Sequence, residues 1–210
     1  MHTLRYTLLA DGSSDRILLN PINWLLEDLL PNHIIRGEMA DFTFVKNPPP
    51  IGNLLERIRL AFQLFPCDLL FIHRDAERSS WEDRASEIQS AIDDLLALDI
   101  KFLKVIPIRM TEAWLLIDEA AIRAAAGNRN SNIPLNLPPI QRLESISDPK
   151  SELIQILKTA GELSGRKLEQ FNARAAIHRV AENIPDFSPL LRLSAFQRLE
   201  SEVRDMISYL

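Results

Sequence analysis

Three short stretches of this 210-residue chain carry residues able to do chemistry. In "LLADGSSDRILL" (8–19) an apolar run ends in Asp11. Gly12, Ser13, Ser14 and Asp15 follow, and then a helical pattern begins. "HRDAE" supplies His73, Arg74, Asp75 and Glu77 directly after the apolar run "DLLFI". "IRMTEAW" supplies Arg109, Thr111 and Glu112 after "IKFLKVIPI". Carboxylates brought together repel one another and hold their protons more tightly. A divalent cation resolves that repulsion, and Mg²⁺ needs few carboxylates because it keeps waters and takes substrate phosphate as a ligand. If the chain stays extended past Asp75, residues 75 and 77 point to the same side. Asp11 then reads as a metal-facing acid or a general base. Gly12 permits a tight turn and close backbone approach. Ser13 or Ser14 caps the helix, leaving backbone N–H groups for an anion, and Asp15 suits the positive end of the helix dipole. Each stretch also has a plain reading. Asp-Gly-Ser-Ser-Asp makes a turn and a cap, Asp75 and Glu77 a surface pair, and Glu112 a first-turn helix residue. His73 and Arg74 are then the polar end of a strand and a salt-bridge partner.

These residues matter only if the fold brings them together, so the elements that carry them come next. "TLRYTLLA" (3–10), "DFTFV" (41–45), "DLLFIH" (68–73) and "IKFLKVIPI" (100–108) read as strands. The third is almost continuously apolar, as in a strand buried on both faces. Helical spacing runs from Ser14 to Leu30, with a kink or late start at Pro21. It returns over Leu54–Leu64, along the face of Trp81, Ala85, Ile88, Ile92 and Leu95, and over Glu112–Ala126. Strand and helix thus alternate four times, which predicts an α/β fold with a mainly parallel four-stranded sheet and right-handed crossovers. In such a sheet ligands bind beyond the carboxyl ends of the strands, where Asp11, Asp75 and Glu112 fall. These three are expected in one cleft, with Trp114, Leu115 and Leu116 buried behind Glu112. The second half differs. Residues 127–148 read as a polar, proline-rich loop, and 149–210 as an all-helical extension (149–160, 166–182 and 188–207) packed on a core of residues 1–126.

Composition narrows the partners. The net charge of -5 removes a global basic field for nucleic acid, so a phosphate-bearing partner must be held locally or through metal. Lys and Arg balance Asp and Glu from residue 160 onward, so the extension offers no basic arm and suits a protein partner better. The single cysteine, Cys67, excludes an internal disulfide. No apolar stretch approaches the roughly 20 residues of a membrane span. The first residues carry no signal-peptide core. The expectation is a cytoplasmic protein without membrane contact.

A strand, an acid-Gly-x-x-acid turn into a helix, and a later strand ending in two spaced acids resemble the Toprim domain of topoisomerases, primases, small ribonucleases and overcoming-lysogenization-defect nucleases. Here the motifs are "ADGSSD" (10–15) and "RDAE" (74–77). "HRDAE", "TEAWLL" (111–116) and "DPK" (148–150) further resemble an uncharacterised bacterial Toprim-like group. Asp11 stands where Toprim proteins usually carry Glu, and Glu77 where they carry Asp.

The resemblance implies a Toprim-like, Rossmann-like fold and a metal-dependent phosphoryl-transfer enzyme, most simply a nuclease. It places Mg²⁺ or Mn²⁺ on Asp75 and Glu77, with Asp11 as general base or co-ligand and Asp15 and Glu112 as further acids. Arg74 or Arg109 would clamp a phosphate oxygen, and Lys150 is a more distant candidate. The alternative is a non-catalytic Toprim-like module that binds a partner protein or nucleotide in a bacterial defence or toxin-type system. A response-regulator reading would use Thr111, but lacks a fifth strand ending in Lys-Pro.

Overall fold

The computed structural model describes residues 2–95 and 101–208. The chain opens with β1 (His2–Leu9) and a 3-10 turn (Ser13–Leu18) leading into α1 (Leu19–Leu29). It continues through β2 (His33–Met39), α2 (Leu54–Leu64), β3 (Leu69–His73), α3 (Trp81–Asp93) and β4 (Phe102–Val105). A second 3-10 turn (Thr111–Leu115) precedes α4 (Glu119–Ala125), and a third (Ile140–Ser145) precedes α5 (Pro149–Ala160). Then come α6 (Gly165–Glu169), α7 (Ala173–Asn183), a fourth 3-10 turn (Ser188–Arg192) and α8 (Ser194–Ile207).

The four strands form one all-parallel sheet in the order β2-β1-β3-β4. Every residue of β3 is buried, as its apolar run requires. Successive side chains of a strand serve opposite layers. Tyr6, Leu8, Phe71, Leu103 and Val105 join the core built with α1, α4, α5, α7 and α8. Leu9, Leu70 and Ile72 join the one built with α2 and α3. The connection from β1 to β2 therefore runs over one face, and the connections to β3 and β4 run over the other. The strand order reverses between β1 and β3, so a crevice opens at their carboxyl ends. Among the described helices none is long and apolar enough to cross a membrane.

Several sequence expectations are corrected here. The second strand is 33–39. The expected strand 41–45 is turn: Asp41 Oδ1 accepts from the Thr43 N–H at 2.9 Å, and the Val45 N–H closes on the Phe42 carbonyl. Phe44 is exposed, so the alternation of "DFTFV" does not mark a half-buried face. The true β2 lies at the sheet edge with mostly open side chains, and "HIIRGEM" lacks a clean apolar period for that reason. Pro21 does mark a late start, because α1 grows out of a 3-10 turn. The helix expected over 112–126 is interrupted, since Asp118 caps α4 by accepting from the Ala121 N–H. Asn172 likewise separates α6 from α7. The fourth strand is shorter than 100–108, and Ile100 lies outside the described residues.

Gly37 shows how tightly β2 is seated. It pairs in register with Tyr6 of β1, and a Cβ at residue 37 would lie 2.1 Å from the Tyr6 ring. The ring has no room to yield. It is fully buried, its hydroxyl donates to Asn23 Oδ1 at 2.7 Å, and it meets Phe71 edge-on. Gly37→Ala is expected to cost about 1–3 kcal/mol, read as a lower urea midpoint at unchanged slope. In a Tyr6→Leu background the same substitution should cost less, because the clashing atoms are gone. Equal costs in both backgrounds would refute this packing account.

Candidate functional site

The turn after β1 is built by its second acid. Gly12 is extended, and its N–H donates to Asp15 Oδ2 at 2.9 Å while the Asp15 N–H returns to the Gly12 carbonyl at 3.1 Å. Neither serine caps this turn, contrary to the sequence expectation. Ser14 Oγ donates to Asp15 Oδ1, and Ser13 Oγ accepts from Arg174 at 2.6 Å. Asp15 is thus fixed in place with its carboxylate toward β3.

The β3 end carries the imidazole and the central acid. His73 is buried, and its Nδ1–H donates to the Val105 carbonyl at 3.0 Å. A carbonyl can only accept, so Nε2 is the nitrogen left for the acids. It stands 3.6 Å from Asp75 Oδ1 and 4.0 Å from Asp15 Oδ2. Thr111 Oγ1 donates to Asp75 Oδ1 at 3.2 Å. The 3-10 turn holding Thr111 and Glu112 is anchored by Trp114, which is buried edge-on against Phe196 of α8 at 5.2 Å between ring centres. Trp114, Leu115 and Leu116 are each 1% exposed, as expected. Glu112 is itself buried, and its Oε1 meets the Lys150 ammonium of α5 at 3.1 Å.

Asp15 and Asp75 therefore flank His73 Nε2, and Glu112 lies near enough for its charge to act on Asp75. Burial first, and then the charges of Asp15 and Glu112, push the Asp75 carboxyl up to about 6 against the opposing pull of His73 and Thr111. A quarter of the Asp75 side chain remains open.

Asp11, Glu77 and Arg109 are placed elsewhere. Arg74 Nη1 grips both oxygens of Asp11, at 2.7 and 2.9 Å. Arg74 Nη2 donates to Glu87 of α3, which also accepts from Arg84 at 2.8 Å. Arg74 is thereby an ion-pair partner on the α3 side of the sheet. Glu77 does not share a side with Asp75, because the extended conformation ends before it. Its φ is 52°, and its side chain is exposed. Arg109 is also left-handed, at φ 71°. Its Nη1 donates to the Glu77 carbonyl, and its own carbonyl accepts the Glu77 N–H. The two residues clasp the ends of β3 and β4 together.

Sequence reasoning gave no place to Glu87, Arg57, Arg174 or His178. Arg57 reaches the Ala10 carbonyl at 2.6 Å, and Arg174 reaches Ser13 across 161 residues. No local signal announces such contacts.

The fold and site define a doubly wound parallel α/β protein with an acid-lined crevice at its switch point. Comparison with protein-family models, with curated proteins and with solved structures finds no match. Among the described residues no three His, Cys, Asp or Glu side chains form a ready-made ion cage. The donor chemistry at Asp75 and Asp15 nevertheless fits Mg²⁺ or Mn²⁺, whose sites use one or two carboxylates and complete themselves with water and phosphate.

The raised Asp75 has a consequence for stability. Its folded pKa of about 6 exceeds the ordinary 3.8, so the folded protein binds this proton more tightly than the unfolded chain. The stabilisation is fully present below pH 3.8 and is lost as pH rises through 6. In chelator, Asp75→Asn should melt above wild type near neutral pH, and the gap should close as pH falls toward 4. A variant melting below wild type at neutral pH would make Asp75 a structural acid.

Proposed function

We propose that this chain is a metal-dependent phosphoryl-transfer protein, a Toprim-like nuclease acting on nucleic-acid phosphodiesters. The observation that carries this reading is the convergence of Asp15, Asp75, Glu112 and His73 in the crevice between β1 and β3. Among the described residues, Glu112 alone of these acids has a Lys or Arg within ion-pair distance, Lys150. Asp75 and Asp15 would hold the metal, which supplies charge stabilisation at the transferring phosphate. Thr111 and Asp15's own turn fix the carboxylates in advance, so little rearrangement opposes binding. His73 Nε2 faces these carboxylates, with its ring orientation set by Val105. Lys150, half-exposed at the edge of this acid group, can meet a phosphate oxygen.

The second reading, a non-catalytic module for a partner protein or nucleotide, is favoured by one observation. Asp11 holds the position of the Toprim general base, and its carboxylate is committed to Arg74.

Thermal melts with Mg²⁺ or Mn²⁺ test the first reading. At a hundredfold excess over Kd, an ion bound only by the folded state adds about 2.7 kcal/mol, or about 5–10 °C for a domain of this size. Asp75→Asn should remove that response together with any metal-dependent cleavage of single- or double-stranded DNA or RNA. A metal response without cleavage of any of these supports the module. No metal response at all ends the phosphoryl-transfer reading.

A further inference from the structure

A cavity of about 470 Å³ lies between the Ser13 turn, Glu112 and helices α5 and α7. That volume is within the roughly 300–1,000 Å³ of small-molecule sites. Glu112 lines it and also acts on Asp75 through its charge. The cavity and the acid cluster are therefore neighbours.

The lining of the cavity carries two cations, Lys150 and Arg174. Lys150 is half-exposed, and its ammonium meets the buried Glu112 carboxylate at 3.1 Å, which leaves two of its three N–H donors for a ligand. Arg174 Nη2 donates to Ser13. A guanidinium has five N–H donors, so others remain for a ligand. Two fixed cations face one carboxylate, in a chain whose net charge is -5. The proton affinity of His178, a third basic side chain in the lining, is held down first by burial, then by Arg174 and Arg16, with Glu182 opposing. Ile154 and Ile177 line it with apolar surface, which a free phosphate has no use for and a nucleobase does.

We propose that this cavity binds one nucleoside phosphate unit, its phosphate between Lys150 and Arg174 and its base against Ile154 and Ile177. The helical extension would then supply the substrate-binding half of the site, and Glu112 would join it to the acid half. The fate of the bound phosphate rests on the phosphoryl-transfer reading; the binding itself does not.

Calorimetry on the full chain in chelator, with adenosine 5′-monophosphate, adenosine and inorganic phosphate as probes, tests this. The monophosphate should bind at least tenfold more tightly than either fragment. Arg174→Gln, at an exposed position, should weaken it tenfold or more at unchanged melting temperature. Ile154→Ala should weaken the monophosphate and adenosine but not inorganic phosphate. Arg192→Ala, exposed and outside the cavity, should change nothing. Wild-type affinity in Arg174→Gln would overturn the proposal, as would inorganic phosphate binding as tightly as the nucleotide. Metal melts on the same variant separate the two readings. A retained metal response in Arg174→Gln with lost nucleotide binding supports the cavity proposal and leaves the cation site intact. Nucleotide binding that depends on Arg174, in a protein with no metal response, upholds the cavity and removes the phosphoryl-transfer reading alone.

Discussion

Side chains on a strand alternate between its two faces, and at the ends of β1 and β3 that period sorts every charge near the crevice. Leu8 pairs with Phe71 and Leu9 with Ile72, so the same register carried onward sets Ala10 beside His73 and Asp11 beside Arg74. Paired residues of neighbouring strands share a face. Asp11 and Arg74 thus emerge on the α2–α3 side, where Glu87 and Arg84 complete a chain of alternating charge. His73 and Asp75 emerge on the opposite side, with Thr111, Glu112 and the turn of Asp15. One face is neutralised by its own residues. The other gathers acids around a single imidazole.

The helical extension is what gives the second face its walls. Leu153 and Leu157 of α5, Ala176 and Val180 of α7, and Phe196 and Leu199 of α8 belong to the same core as Phe71 and Val105 of the sheet. Burying Trp114 against Phe196 fixes the turn that presents Thr111 and Glu112. At the far edge the β4 backbone is also covered, since the Lys104 N–H donates to Glu202 of α8 and the two side chains pair at 3.1 Å. An open edge invites pairing with other chains, so α8 both shields the sheet and locks the site-bearing turn. Arg198 extends the contact, stacking over Trp81 and pairing with Glu82 of α3. Through these ties α8 of the second half is joined both to β4 and to α3 of the first half.

The parallel sheet was legible because β3 is apolar on both faces and because helical and strand periods alternate. Its edge was not. "HIIRGEM" is a strand through backbone pairing with β1 and through Gly37 under the Tyr6 ring, and neither feature leaves a hydrophobic period. The acids were legible as strand-end residues, but their partners were not. Asp11 and Asp75 look equivalent in sequence, and only the register between β1 and β3 puts them on different faces. Glu77 was misread for a local reason: the left-handed turn that clasps Arg109 breaks the extended run on which its orientation depended. Arg174 and His178 are invisible from sequence because α7 reaches the turn of Ser13 only after the extension has packed.

The contrast between the two faces bears on why the acids are where they are. A buried ion pair is costly to break, since a lone desolvated charge remains, and the α3 side satisfies that demand with carboxylates at both ends of Arg74. On the other side His73 is spent partly on Val105, and Lys150 reaches Glu112 alone. Asp75 is left with its carboxyl pushed up to about 6. A fold that needed only stability could have placed a second arginine there, as it did one residue earlier on the other face. The β3 end thus leaves Asp75 beside His73 without an arginine, and the proposed cation and nucleoside phosphate would answer that arrangement.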